Sequence, residues 1–186
     1  MRKYFMDTKI KGIKIGEKII LIGDILDSIE LCIKNKSQLS TLILIYSTMD
    51  SMAYLSKSST KNTVARKDFI EWTEKYLVKY LDSNCKGIDL YAARCGVLHS
   101  FIESSSLSNE NQAKLIKYSW GTADNSLLKK VTDSRYISLN IESFLQALRR
   151  AVGDFLKDVI ENNDMTINFE NNSKDYFKNI NLRNVN

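Results

Sequence analysis

The sequence predicts a mainly α fold, a bundle of four to five helices with a small pair of strands added to it. Three observations predict this. Proline is absent and only seven glycines occur in 186 residues, so long stretches contain nothing that interrupts a helix. Apolar residues recur at spacings of three and four along most of the chain, which places them on one helical face. With 44% hydrophobic residues, a chain of this length can bury one substantial core without needing a second. The expected organisation is a single helical domain over 1–162 and a mostly irregular tail over 163–186.

From Glu17 to Asn35, the residues Ile15, Ile19, Ile22, Leu26, Ile29 and Ile33 lie along one face of a first amphipathic helix. After the polar turn "NKSQ", the segment "SQLSTLILIYSTMDSMAYLSK" is apolar almost all round, as a helix in the middle of a bundle would be. Its polar residues Ser47, Asp50, Ser51 and Tyr54 form one stripe. A buried carboxylate without a partner is costly, so this stripe is either an internal hydrogen-bond network or the lining of a groove. "SKSSTKNTVARK" reads as a polar loop, and "RKDFIEWTEKYLVKYLD" resumes the helical period through Phe69, Trp72, Tyr76, Leu77, Tyr80 and Leu81. These aromatics alternate with charges at a helix period, which favours core packing over base stacking.

A second turn, "SNCKG", leads into "IDLYAARCGVLHSFIESS", where Asp89 can cap the helix start by accepting backbone N–H bonds. The helical period then fades between 107 and 140. "AKLIKYSW" and "RYISLNI" carry strand-compatible residues and predict a small antiparallel pair, a β-hairpin near 113–140. The clearest helix follows: Ile141, Leu145, Leu148, Val152, Phe155 and Val159 make an unbroken stripe, with Asn140 placed to cap it. The last 25 residues hold nine asparagines and little periodicity, hence the irregular tail.

Composition narrows the function classes. Twenty-seven Lys and Arg against 22 Asp and Glu give a net charge of +5, which admits a polyanionic partner without the density of a nucleic-acid coat. Cys32, Cys85 and Cys95 are an odd set with no CxxC spacing, and they read as reduced thiols in a cytoplasmic protein. Asp24, Asp27 and Glu30 break the first apolar run, and no stretch reaches the roughly 18 uncharged apolar residues of a membrane span. There is no Gly-rich phosphate loop and no nucleophile elbow.

The chemistry concentrates on "YAARCGVLHS", residues 91–100, which contains the only histidine in the chain. Histidine is the side chain whose ordinary pKa lies near neutrality, which makes His99 the natural proton carrier. Arg94 precedes it by five residues, about 140° around an ideal helix. The two therefore do not share a face, but the long arginine arm can swing back and Gly96 can loosen the turn between them. The competing structural readings are a core histidine bonded to a carbonyl or to the Asp50 stripe, and an arginine paired with Asp89 or Glu103 on a solvated face. Cys95 and His99 at i, i+4 offer half of a metal site, with Cys85 the near third ligand.

"RCGVLH" at 94–99 resembles the Arg, four to six residues, His signature of the HEPN superfamily, helical-bundle domains that frequently act as metal-independent ribonucleases in toxin–antitoxin, phage-defence and RNA-processing systems. The resemblance covers the motif residue by residue and, more loosely, the helices from about 16 to 160. It implies Arg94 and His99 as catalytic residues, RNA as substrate, no cofactor, and cleavage to 2′,3′-cyclic phosphate and 5′-hydroxyl ends. It also implies a homodimer in which motif helices face each other, with an antitoxin or defence-system protein as a further partner. Cys95 departs from the polar residue that often follows the arginine. Asp50, Tyr91 and Ser100 are candidates for supporting the pair, ordinary packing being the alternative for Tyr91 and Ser100. The alternative function is a HEPN-like domain without catalysis that dimerises or binds a partner.

Overall fold

The computed structural model describes residues 13–61, 63–81, 83–101, 105–121 and 135–176. Among them are seven α-helices and two strands: α1 (Ile13–Lys34), α2 (Gln38–Ser56), α3 (Arg66–Trp72), α4 (Gly87–Ser100), α5 (Ser106–Asn109), β1 (Leu115–Ser119), β2 (Tyr136–Asn140), α6 (Ile141–Glu161) and α7 (Asn163–Tyr176). The mainly α expectation holds.

The apolar stripes read from the sequence are the faces that meet. Ile19, Ile22, Leu26 and Ile29 of α1, and all six residues of the α6 stripe, are buried in one core. Against these two helices packs α2, with Ile45, Tyr46, Met49, Met52, Ala53 and Leu55 sealed from solvent. Arg149 on α6 ties this layer together by donating to the Leu26 carbonyl at 3.1 Å and reaching Asp27 and Glu30 on α1 at 3.1 and 2.9 Å.

After Trp72 the α3 segment widens into a π-helical turn over Thr73–Leu77 and then tightens into a 3-10 turn over Val78–Tyr80. The Thr73 hydroxyl lies 3.0 Å from both the Phe69 and the Ile70 carbonyls, where side-chain bonding competes with the regular ladder. The turn presents Tyr76 and Tyr80 to α6, running antiparallel: Tyr76 donates to Asp158 at 2.8 Å and Tyr80 to Asp154 at 2.7 Å. Phe69, Trp72 and Tyr76 are core, as their period predicts, and Tyr80 is half-buried against it; Trp72, Tyr76 and Phe155 form a cluster of tilted and edge-on rings.

Two sequence expectations need correction. The strands exist where expected but pair in parallel, Leu115 opposite Tyr136 through Ser119 opposite Asn140, so they are not a hairpin. A parallel pair needs a long crossover, and the chain has residues 120–135 for it, of which 122–134 lie outside the described residues. β2 then runs directly into α6, where Asn140 caps the helix by accepting the Ser143 N–H at 3.0 Å. The side-chain amide of Asn140 also holds the Gly121 carbonyl at 3.0 Å just past β1, at a glycine whose φ of +66° disfavours other residues.

The second correction concerns the tail. Residues 163–176, expected to be irregular, are helix α7, while 177–186 lie outside the described residues. Phe169 is completely buried and meets Phe155 with ring centroids 6.2 Å apart. Two of the asparagines in this helix bind the backbone at and beyond the end of α2. Asn172 donates to the Lys57 and Leu55 carbonyls at the end of α2, at 2.8 and 3.4 Å, and Asn168 accepts the Ser59 N–H at 3.0 Å. Low intrinsic helix propensity is overridden here by tertiary partners for one face.

Candidate functional site

The polar stripe of α2 meets the motif helix. Asp50 and Arg94 face each other, and their side chains keep only 27% and 22% of their exposure. The Arg94 Nε lies 3.1 and 2.9 Å from the two Asp50 oxygens and Nη2 lies 2.7 Å from Oδ2, a forked, charge-assisted pairing that fixes the guanidinium plane. Burial disfavours the Arg94 charge, but the Asp50 hydrogen bonds and carboxylate outweigh it, and the net effect holds the guanidinium above its usual range. The Asp89 alternative fails because that carboxylate is occupied by the backbone. It accepts the Lys86 N–H at 2.9 Å, as expected of a helix-start residue, and the Lys114 N–H at 2.7 Å. Glu103, the other alternative, lies outside the described residues.

Nη1, the atom Asp50 leaves uncovered, lies 3.0 Å from Nε2 of His99. A guanidinium only donates, so this imidazole nitrogen accepts and the ring proton belongs on Nδ1. The contact forms although α4 continues as regular helix through Gly96; the flexible arm of the arginine closes the angle, not a loosened turn. His99 is exposed and not a core histidine. One residue beyond the helix, Phe101 adopts a left-handed backbone with φ of 53°, its N–H bonded to the Gly96 carbonyl and its side chain 64% exposed.

A groove of about 550 Å³ opens beside Arg94. α2 lines it with Ser47, Asp50, Ser51 and Tyr54, the whole predicted stripe, and α4 with Tyr91 and Arg94. The start of α3 closes it with Arg66 and Phe69, preceded by Val64 and Ala65. Tyr91 packs edge-on against Phe69 at 5.6 Å between centroids, and its outer side carries the Arg66 guanidinium at 5.6 Å. Burial, with the Cys95 thiol adding to it, pushes the Tyr91 phenol above its ordinary range.

Of the residues singled out from the sequence, Arg94, His99, Asp50 and Tyr91 are therefore neighbours; Arg94 touches both His99 and Asp50 and shares the groove with Tyr91. Ser100 ends α4, and its side chain lies outside the described residues. Arg66 was not singled out. It belongs to a segment read as loop running into helix, and only the folding of α3 against α4 brings it over Tyr91.

A larger cleft of about 710 Å³, lined by Lys86, Asp89, Gln112 and Lys114 among others, contains none of the motif residues. Cys85 lies buried and donates weakly to the Lys86 carbonyl, and burial raises its thiol far above the usual range. Among the described residues, no group of three or more His, Cys, Asp or Glu side chains stands close enough to hold a metal ion, so the Cys95–His99 pair gains no third ligand there. Nor is any described helix long and apolar enough to cross a membrane. Compared with protein-family models, with curated proteins and with solved structures, the chain matches none.

Proposed function

We propose that this protein is a metal-independent endoribonuclease of the HEPN type, acting in a toxin–antitoxin or phage-defence setting. The observation that carries the reading is the 3.0 Å approach of the Arg94 guanidinium to an exposed His99 imidazole. Two groups at that separation can touch the same phosphate.

In the proposed reaction the 2′-hydroxyl attacks the adjacent phosphorus, the P–O5′ bond breaks, and a cyclic phosphate and a 5′-hydroxyl result. Arg94 holds the non-bridging oxygens through its donors and stabilises the charge that accumulates on them. His99 moves the proton, as base towards the 2′-hydroxyl or as acid towards the leaving oxygen. An incoming phosphate draws Nη1 from the imidazole and so frees Nε2 for proton transfer. Asp50 keeps the guanidinium in place while this exchange occurs.

The test is RNA cleavage by the purified chain in EDTA. Wild type yields cyclic-phosphate ends, whereas His99→Ala and Arg94→Ala lose cleavage by a factor of about 100 or more, the usual scale for a proton-transfer or charge-stabilising group. Absence of wild-type cleavage of every RNA tried, with the fold intact, would remove the reading. Phe101 favours a second one. A bulky apolar side chain, 64% exposed and held in a left-handed backbone directly after the motif helix, suits a helical domain that docks a second copy or a partner without cutting RNA.

A further inference from the structure

The groove beside Arg94 holds more positive charge than the motif pair requires. Asp50, the carboxylate that lines it, is engaged on two edges by Arg94. Arg66, at the opposite wall, pairs with no carboxylate among the described residues; its guanidinium rests over the Tyr91 ring. The groove therefore presents one compensated arginine and one uncompensated arginine, with Ser47 and Ser51 also in its lining and the Tyr91 ring beside Arg66.

We infer that this groove is a subsite for the nucleotide next to the cleaved linkage, with Arg66 holding the phosphate on its far side. The inference deepens the ribonuclease reading and rests on it for the placement of the cleaved phosphate. The geometry supports it in three ways. Tyr91 and His99 are eight residues apart on α4, about 12 Å along the axis, so a strand lying along the helix passes from the Arg94–His99 end to Arg66. A volume of about 550 Å³ suits a small polar ligand segment. Single-stranded nucleic acid is bound by the combination present here, cations tracking the backbone and aromatic rings beside them. Tyr91 is a positioning residue: its ring supports the Arg66 arm, and the hydroxyl is not needed for that support.

The experiment measures binding of a fluorescein-labelled single-stranded RNA hexamer, 2′-O-methylated throughout so that it cannot be cut, to the full chain across a series of salt concentrations. Arg66 is exposed at the start of a helix, so its substitution leaves the core untouched. Arg66→Ala should weaken binding about fivefold or more and reduce the slope of log affinity against log salt by about 0.7, the signature of one lost phosphate contact on a single strand. Arg66→Lys should restore the slope, and Tyr91→Leu should weaken binding with the slope partly reduced. Binding by Arg66→Ala within twofold of wild type, at an unchanged slope, overturns the subsite. Cleavage of an unmodified RNA separates the two readings. Wild-type cleavage with an Arg66→Ala KM equal to wild type leaves the nuclease standing and removes the subsite. Arg66-dependent binding with no cleavage by wild type removes the nuclease and leaves the groove as a single-stranded RNA site with Arg66 on a phosphate.

Discussion

Asp50 takes the Nε and Nη2 edges of Arg94 and leaves Nη1 directed at His99. The carboxylate on α2 thus decides which donors of a guanidinium on α4 remain for a third party. Asp50→Asn keeps the size of the side chain and removes the charge and part of the fork. Under the proposed activity, cleavage should fall at least tenfold through kcat with KM little changed, because the guanidinium loses its fixed plane rather than its charge. Circular dichroism should remain that of wild type. Full cleavage by Asp50→Asn would show that Arg94 is oriented by something else.

Gly87 marks a close approach independent of any activity. A Cβ at this position would lie 2.6 Å from the Thr73 hydroxyl and 3.0 Å from the Ile70 carbonyl, and the Gly87 N–H donates to Glu74 at 2.6 Å. Gly87→Ala should destabilise by about 1–3 kcal/mol despite alanine's better helix propensity, since the π-helical turn must shift to make room. The urea midpoint reports it, and a gain in stability would contradict the packing.

The tail helix supplies a second stability test. Phe169→Ala empties a fully buried site beside Phe155 and should destabilise by about 3–5 kcal/mol. Asn172→Ala leaves the carbonyls at the end of α2 without their donor and should destabilise by about 1–3 kcal/mol. Values near zero for both would restore the irregular tail that the composition predicts.

The two Tyr–Asp–Lys clusters predict how stability varies with acid. The Lys79 ammonium and the Tyr80 hydroxyl hold Asp154 below its usual range, and the Lys75 ammonium and the Tyr76 hydroxyl do the same for Asp158. A carboxylate whose folded pKa is depressed contributes stability that is complete above its unfolded pKa of about 4 and is lost as pH falls through the folded value. The denaturation midpoint should therefore decline below about pH 4. The double variant Asp154→Asn, Asp158→Asn should start lower at pH 7 and decline less steeply. Parallel acid limbs for the variant and wild type would place the acid sensitivity elsewhere.

Local repetition determined much of this protein. The stripes of α1 and α6, the caps at Asp89 and Asn140 and the two strand segments follow from periodicity, residue type and short-range hydrogen bonding; α2, apolar almost all round in sequence, is instead open along its polar stripe and at residues 38–40. The Arg94–His99 spacing was legible too, as was the α2 stripe containing Asp50. Tertiary structure decided the rest. Strand direction depends on the path of the crossover, which no residue within "LIKYS" or "YISLN" encodes. The helix at 163–176 exists because Phe169 and Asn172 find partners more than 100 residues back for one of them and in the preceding helix for the other. That Asp50 rather than Asp89 holds Arg94, and that Arg66 reaches Tyr91, depends on which helix faces meet. Side-chain chemistry lists the available partners, and only the packing of α2, α3 and α4 selects among them.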